Sequence, residues 1–420
     1  MKTVLQQSVL WFVIGTAGGM VQAAEACAGP EPLLLKNREL NPAALAALRE
    51  AGPAGVEALL AAAPAPGSPE RAAWERALDT VCAQRDCAAS GLYWHSDFDR
   101  ALEEAARTGR PILSLRLLGR LDEEYSCANS RFFRTALYPD PRVARRLRER
   151  FVLHWESVRP APRLTIDFGD GRTLEGTITG NSIHYVLDAR GRLVDALPGL
   201  YGPGMFLGVL TRAESAAREL SAVGDPDFVA ALSRFHLERL RALDLSLGDH
   251  GGFATLPPVS PAVDGWFGAR EAAGRTISKR AVERPVLGAV ARGSWYAGAA
   301  EPYDDGVDWS ALADSRRAAW RLGPESREML LRKHRPASAE DGERVIAGFE
   351  RLVGLDTVRN EYLLHAFIHH RLAGWPHGAA IPDLAVFNER VYAELFLTPG
   401  SDPWLGLVSP DTYLALTPGG

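Results

Sequence analysis

WHSDFDRALEEAARTGRPILSLRLL, residues 94–118, is the stretch that decides the fold. Asp97 predicts the start of an amphipathic helix over 97–108, because a carboxylate at an N-cap accepts the first free backbone N–H groups. Gly109 ends that helix, as glycine commonly does at C-terminal caps. The mostly apolar run Ile112–Leu118 follows and predicts a buried strand. The stretch therefore predicts a helix that leads into a central strand.

The alternation of helices and strands continues towards residue 220. Gly169-Asp170-Gly171 lies between two strand-like runs and predicts the turn of a β-hairpin. A calcium loop through Asp167 and Asp170 is the alternative, and it lacks the further oxygen ligands that such a loop needs. The predicted elements are a helix over 143–150, a strand over 151–158, a hairpin over 164–179, a strand pair over 182–197 and a helix over 203–220.

The order of these elements resembles the thioredoxin-like superfamily. SCANSRFF (126–133) lies where that family places its active-site motif. PRVARRLRERFVLHW (141–155) is similar to the family's next helix and strand, and NSIHYVLDARGRLVDALPGLYGP (181–203) is similar to its closing hairpin. The resemblance covers about residues 92–220. It implies an α/β thioredoxin-like domain, in which helices flank a central mixed sheet.

The resemblance assigns catalytic and binding roles to four residues. Cys127 matches the attacking cysteine, and Ser130 stands where the resolving cysteine would be, so the motif is monothiol. A monothiol site can form a mixed disulfide but cannot resolve it within the motif. Ser182, after Asn181, occupies the position of the family's cis-proline, opposite the reactive sulfur, and Asn181 and Ser182 are the predicted binding residues.

Two functions remain open on this basis. In the first, an exported thioredoxin-like protein carries out monothiol exchange through Cys127 with an unknown protein or a small thiol, as a thiol–disulfide oxidoreductase does. In the second, the chain keeps the fold as a non-catalytic module that binds a protein or a ligand. A thiol at a helix start is easier to ionise, whereas the acidic residues 122–124 oppose ionisation. No cofactor is predicted for either function.

The N-terminus predicts export. Lys2 precedes an uncharged apolar stretch over 8–21, and Val21-Gln22-Ala23 offers a cleavage site, so residues 1–23 are expected to be a signal peptide. A retained membrane anchor is the alternative, but the apolar stretch is short for a span of about 20 residues. We expect a periplasmic or extracellular protein with no stable membrane insertion after cleavage.

The cysteines and the overall charge constrain the partners. Besides Cys127, the cysteines are Cys27, Cys82 and Cys87, and four cysteines allow three full pairings. Cys82 and Cys87 are close enough in sequence for a tight loop to join them, and a bridge from either of them to Cys127 also stays open. With 47 Lys and Arg against 52 Asp and Glu, the net charge is −5, which argues against a nucleic-acid partner.

The domains predicted outside the thioredoxin-like block, which spans 91–221, are helical. Residues 24–90 predict a small N-terminal helical segment, and 222–420 predict a mainly α-helical C-terminal domain. No metal site is predicted; the candidates are Glu361, His365 and His369, whose spacing of four places them on one helix face. For the aromatic residues of the C-terminal region there are two alternatives: they line a binding cleft, or they pack against the core and anchor loops to it. These aromatic residues are Trp266, Trp295, Tyr296, Tyr303 and Trp309.

Overall fold

A computed structural model describes residues 40–177, 180–247 and 307–401 of the 420-residue chain. The predicted signal peptide over 1–23 and Cys27 lie outside the described residues. Four of the five aromatic residues noted above also lie outside them, namely Trp266, Trp295, Tyr296 and Tyr303.

Within the described ranges, no helix has both the length and the apolar character that a membrane crossing requires.

The chain begins with a small helical layer that has its own apolar core. Its helices are α1 (Pro42–Glu50), α2 (Pro53–Ala61) and α3 (Arg71–Cys82). Asn41 caps α1 by accepting the backbone N–H of Ala43 at 3.0 Å. Trp74 is buried among the three helices, and its indole N–H donates to the Leu59 carbonyl at 2.7 Å.

A mixed four-stranded sheet and a separate two-stranded hairpin follow. The strands are β1 (Ile112–Leu118), β2 (Val152–Arg159), β3 (Arg163–Asp167), β4 (Thr173–Thr177), β5 (Ser182–Leu187) and β6 (Leu193–Pro198). The order in the large sheet is β2-β1-β5-β6, with β1 parallel to β2 and antiparallel to β5. Strands β3 and β4 form a separate hairpin at the predicted Gly-Asp-Gly turn. The predicted α/β class, with a mixed sheet and flanking helices, is present.

Helices cover the large sheet, and strands β1, β5 and β6 are therefore buried along their whole length. The flanking helices are α4 (Phe98–Thr108), α5 (Ala128–Phe132), α6 (Pro141–Arg150) and α7 (Pro203–Ser221). Asp97 caps α4 by accepting the N–H of Asp99 at 2.9 Å, and Gly109 ends it at φ 69°. Helix α5 continues as a π-helical turn over Phe133–Leu137.

The C-terminal part of the described chain is helical. Its helices are α8 (Asp225–Leu247), α9 (Trp309–Ser315), α10 (Arg317–Trp320), α11 (Pro324–His334), α12 (Ala339–Arg359), α13 (Ala366–Ala373) and α14 (Leu384–Arg390). Two π-helical segments, Asn360–His365 and Val391–Leu395, join onto α12 and α14. Trp309 is buried in an apolar cluster with Leu312 and Val358, so it pins this region rather than lining a cleft.

The sheet and the C-terminal helices share one core. Leu197 on β6 and Phe206 on α7 belong to the same buried cluster as Trp320, Ile368 and Tyr392. The approach is close, because a Cβ atom on Gly202, at the start of α7, would lie 2.2 Å from the Trp320 Cα. This packing brings residues from the two halves of the chain into the sites described next.

Candidate functional site

Cys127 begins the short helix α5 and is completely buried. It is the N-cap of that helix, and its sulfur accepts the backbone N–H of Ser130 at 3.4 Å. Its own N–H donates to the carbonyl of Leu118, the last residue of β1, at 3.2 Å. The cysteine therefore lies at the end of the central strand, as the sequence predicts, but its exposed fraction is 0%.

Burial controls the ionisation of this thiol. Removal from water raises the pKa of Cys127, against the backbone N–H of Ser130 and the charge of Arg131, which lower it. The acidic residues before it are engaged in ion pairs: Glu124 pairs with Arg85 and Lys333, and Asp122 pairs with Arg120. The thiol consequently stays protonated at neutral pH.

Ser130, the residue in place of a resolving cysteine, is buried beside the thiol. Its hydroxyl lies 2.7 Å from the hydroxyl of Ser126, one turn before it. A serine hydroxyl carries no redox chemistry, so this position can only hold the loop and the helix start in place.

The loop that precedes β5 faces Cys127. A Cβ atom on Gly180 would lie 3.3 Å from the Cβ of Cys127, which shows how closely this loop approaches the cysteine. The Ser182 hydroxyl accepts the Asn129 side-chain N–H at 2.9 Å, which ties the loop to α5. The peptide bonds of the described residues are all trans, including the bond between Asn181 and Ser182.

Residues 391–398, named here the C-terminal strap, cover this loop. The Asn181 side chain donates to the Thr398 hydroxyl at 3.0 Å, and the Tyr392 hydroxyl donates to the Asn181 carbonyl at 3.3 Å. Arg159 on β2 donates to the Thr398 carbonyl at 3.0 Å. Burial and then the Cys127 thiol raise the pKa of Tyr392. Asn181, one of the two predicted binding residues, therefore contacts the C-terminal strap, whereas Ser182 contacts α5.

The other cysteines lie away from this site. Cys82 and Cys87 form a disulfide at the end of α3, with a Cα–Cα distance of 6.3 Å. Asp79 accepts the backbone N–H of Cys87 at 2.9 Å and thereby fixes the loop between them. Cys127 is a free thiol, so the expected alternative of a bridge from Cys127 to Cys82 or Cys87 is wrong.

A second buried polar cluster surrounds the three metal-ligand candidates. Glu361, His365 and His369 share one face of the helix, as their spacing predicts, and all three are buried. Asp195 on β6 and His236 on α8 meet them there. These five side chains, from the sheet and from two helical regions, are collectively named the histidine cluster.

Hydrogen bonds connect the members of the histidine cluster. His365 bridges two carboxylates: its Nε2 lies 2.9 Å from Asp195 Oδ1, and its Nδ1 lies 2.9 Å from Glu361 Oε2. The Nδ1 atoms of His236 and His369 are 2.8 Å apart, and His236 Nε2 lies 3.0 Å from the Val194 carbonyl. Asp195, His236 and His369 each offer a ligand atom, and these atoms lie within 4.8 Å of one another.

The three histidines differ in charge because their neighbours differ. Burial disfavours the charged form of His365, but Asp195 and Glu361 outweigh burial and raise its pKa to about 9. Burial lowers the pKa of His236 to about 4. Burial together with the charge of His365 lowers the pKa of His369 well below its usual value. One imidazolium therefore lies beside two neutral imidazoles.

Asp195 and His236 are the members that the sequence did not single out. Asp195 interrupts the apolar strand LVDALP (193–198), and an acid in a fully buried strand is the signal that could have identified it. His236 lies in the middle of a long amphipathic helix and carries no comparable signal.

An open cleft of about 570 Å³ separates the N-terminal helical layer from α4 and α6. Its polar lining alternates in charge: Glu50 pairs with Arg100, and Glu104 pairs with both Arg107 and Arg110. Tyr93 and His95 contribute aromatic surface to the same lining. This cleft is large enough for a short peptide segment or a small molecule.

Comparisons with known proteins gave no match to a family model, to a curated protein or to a solved structure.

Proposed function

We propose that the chain is an exported thioredoxin-like protein that works as a non-catalytic binding module. One observation carries this proposal: the Cys127 thiol has no exposed surface. Thiol–disulfide exchange requires a thiolate that can reach the sulfur of a partner. Cys127 offers neither access nor a lowered pKa.

The arrangement of elements supports the thioredoxin-like assignment. Helix α4, strand β1, Cys127 at the start of α5, helix α6 and strand β2 follow one another in the order that the resemblance implies. The β5–β6 pair and helix α7 then complete the block. The hairpin of β3 and β4 is inserted between β2 and β5 and stays outside the large sheet.

The C-terminal strap supports the non-catalytic assignment. A partner peptide that docked beside the sulfur would need the polar groups of Asn181, and those groups already bind Thr398 and Tyr392. Displacing the strap would leave buried polar groups without partners, at a cost of about 1–3 kcal/mol for each group. The protein's own chain therefore occupies the surface that a redox partner would use.

The disulfide between Cys82 and Cys87 supports export. Such bonds persist in oxidising compartments and are rare where thiols are kept reduced. This agrees with the predicted signal peptide and with the proposed periplasmic or extracellular location.

The charged cleft is the place where we expect the partner to bind. It is open, unlike the thiol site, and its paired Arg and Glu side chains suit a segment that carries both charges. Glu57 lines the cleft and is exposed, so a photo-crosslinking amino acid at that position would capture a partner. The matched control is Glu340, an exposed residue at the start of α12. An adduct from Glu57 alone supports the binding module; equal capture from both positions argues against it.

Thiol labelling tests the non-catalytic half of the proposal. In a Cys27→Ser background, Cys127 is the only free thiol, because Cys82 and Cys87 are bridged. We expect Ellman's reagent to label the native protein at least about 100-fold more slowly than the urea-denatured protein, since a buried thiol reacts only after local opening. The Cys127→Ala variant in the same background has no free thiol and defines the background signal of the labelling assay.

Monothiol exchange is the second candidate, and the Ser130 N–H directed at the sulfur favours it. The same experiment decides between the two. Native labelling as fast as that of the denatured protein, with an apparent pKa well below about 8.5, would support exchange and overturn the binding module.

A further inference from the structure

We propose that Asp195, His236 and His369 form a binding site for one divalent transition-metal ion, and that zinc is the ion their chemistry fits best. Two imidazole nitrogens and one carboxylate oxygen are a ligand set that zinc accepts. The three residues come from β6, α8 and α13, so the ion would join the sheet to two helices. This site is independent of Cys127 and of the function proposed above.

The backbone fixes the proton of one ligand. A carbonyl oxygen only accepts hydrogen bonds, so the Nε2 atom of His236, 3.0 Å from the Val194 carbonyl, must carry the proton. The lone pair of the neutral ring is then on Nδ1, which faces His369 and Asp195. Metal-binding histidines commonly donate their other N–H to a backbone carbonyl in this way.

The distances are close to those of a tetrahedral site. Zinc–nitrogen bonds of about 2.05 Å place two ligand atoms about 3.3 Å apart. The Nδ1 atoms of His236 and His369 are 2.8 Å apart, and His369 Nδ1 lies 3.9 Å from Asp195 Oδ1. One distance is shorter and the other longer than the ideal, so a shift of about half an ångström would bring both to it.

Two buried polar atoms, one of them on a proposed ligand, find no hydrogen-bond partner in the described part of the chain. These are Nε2 of His369 and the hydroxyl of Tyr201. Burial raises the pKa of Tyr201, and the charges of Glu361 and Asp195 raise it further. Unpartnered buried groups are rare in folded proteins, and one of these two belongs to a proposed ligand.

Glu361 and His365 take a supporting role in this site. His365 holds the Asp195 carboxylate at 2.9 Å, and Glu361 holds the other nitrogen of His365 at 2.9 Å. Arg212 donates to the far oxygen of Glu361 at 3.2 Å. Of the three metal candidates taken from the sequence, His369 is a ligand in this proposal. Glu361 and His365 instead position the Asp195 ligand.

Full burial indicates what the ion would do. Asp195, His236 and His369 are at most 2% exposed, so no substrate reaches the site from solvent in this conformation. An ion without access to solvent would serve a structural role, and its binding energy would contribute to folding. Without an ion, His369 would donate to His236, and the cluster would be a hydrogen-bond network alone.

Metal analysis of purified chains distinguishes a zinc site from a hydrogen-bond network that holds no ion. The chains compared are the wild type, His236→Gln, His369→Gln and, as the matched control, His377→Gln, which alters an exposed histidine. After growth with zinc and dialysis against metal-free buffer, we expect about one zinc per chain in the wild type and the control. Each of the two cluster variants should bind at least about fivefold less.

A second measurement covers the case in which the cluster variants do not fold. X-ray absorption on the wild-type zinc form should show a nitrogen and oxygen shell with imidazole scattering. A sulfur shell would place the metal at a cysteine and overturn the proposal, as would a purely oxygen shell from surface carboxylates. A folded wild-type chain that binds neither zinc nor cobalt, and whose unfolding temperature zinc leaves unchanged, also overturns it.

Discussion

Oδ1 of Asp195 lies 2.9 Å from Nε2 of His365, although the two residues are 170 positions apart in the sequence. Both side chains are buried, and Glu361 binds the opposite nitrogen of the same ring. One imidazolium is thereby compensated by two carboxylates, and it joins strand β6 to the helices of the C-terminal half. The contact is one of the links between the sheet of four strands and the helical region, which also share an apolar core.

Asp195→Asn should destabilise the protein by about 3 kcal/mol, because it leaves the His365 imidazolium with one carboxylate fewer in a buried place. Urea unfolding in the presence of EDTA measures this loss without a contribution from bound metal. Asp170→Asn is the control, since Asp170 pairs with Arg172 on the exposed hairpin turn, and its unfolding midpoint should match the wild type. Equal shifts in the two variants would contradict the prediction.

Thr398→Val should loosen the C-terminal strap and expose Cys127 more often. The substitution keeps the shape of the side chain but removes the hydroxyl that accepts from Asn181. Losing this buried bond costs about 1–2 kcal/mol, so the native labelling rate of Cys127 should rise about tenfold. Thr80→Val, on the exposed face of α3, should leave that rate unchanged. No change with Thr398→Val would show that the strap does not control access.

His184 should make the protein less stable in acid. It is buried between aromatic rings, its Nε2 lies 2.7 Å from the Tyr138 hydroxyl, and burial lowers its pKa to about 3. The unfolded chain takes up the proton at about pH 6.5, so stability is complete above that pH and falls as the pH drops towards about 3. At pH 5 this one residue accounts for about 2 kcal/mol of lost stability.

Urea unfolding at pH 7.5 and at pH 5 tests the role of His184. His184→Gln removes the titrating ring, so the loss between the two pH values should be about 2 kcal/mol smaller than in the wild type. If the variant loses as much stability in acid as the wild type does, other groups cause the pH dependence.

The Cys82–Cys87 disulfide should stabilise the N-terminal helical layer. Because the closed loop is short, the chain-entropy model gives about 2 kcal/mol for this bond. Cys82→Ala with Cys87→Ala should therefore lower the free energy of unfolding by about that amount. Dithiothreitol should lower it equally in the wild type and have no effect on the double variant. A further loss on reduction of the double variant would point to another disulfide.

Gly202→Ala should destabilise the contact between α7 and α10. A Cβ atom there would lie 2.2 Å from the Trp320 Cα and 2.6 Å from its Cβ, so the backbone must move apart. Overpacking of this kind costs about 1–3 kcal/mol, which thermal unfolding would detect. Gly348→Ala, in α12 with no atom within 4 Å of the new Cβ, should instead be neutral or stabilise by up to about 1 kcal/mol. Similar effects at both positions would contradict the proposed packing.

The sequence alone determined the local structure. The Asp97 cap, the Gly109 stop and the apolar run of β1 each depend on residues next to one another, and each is present in the structure. The spacing of His365 and His369 placed them on one helix face for the same reason, because a helix repeats every 3.6 residues.

Only the tertiary structure decided which of these residues act together. Asp195 and His236 entered the histidine cluster because β6 and α8 pack against the C-terminal helices, and no local pattern encodes that packing. Likewise, the helix-start position of Cys127 favoured a reactive thiol, but the folded chain buries it. Thr398, 217 residues beyond Asn181, binds the loop that faces the sulfur. A pKa depends on water and on charges within a few ångströms, and folding brings those charges from distant parts of the chain.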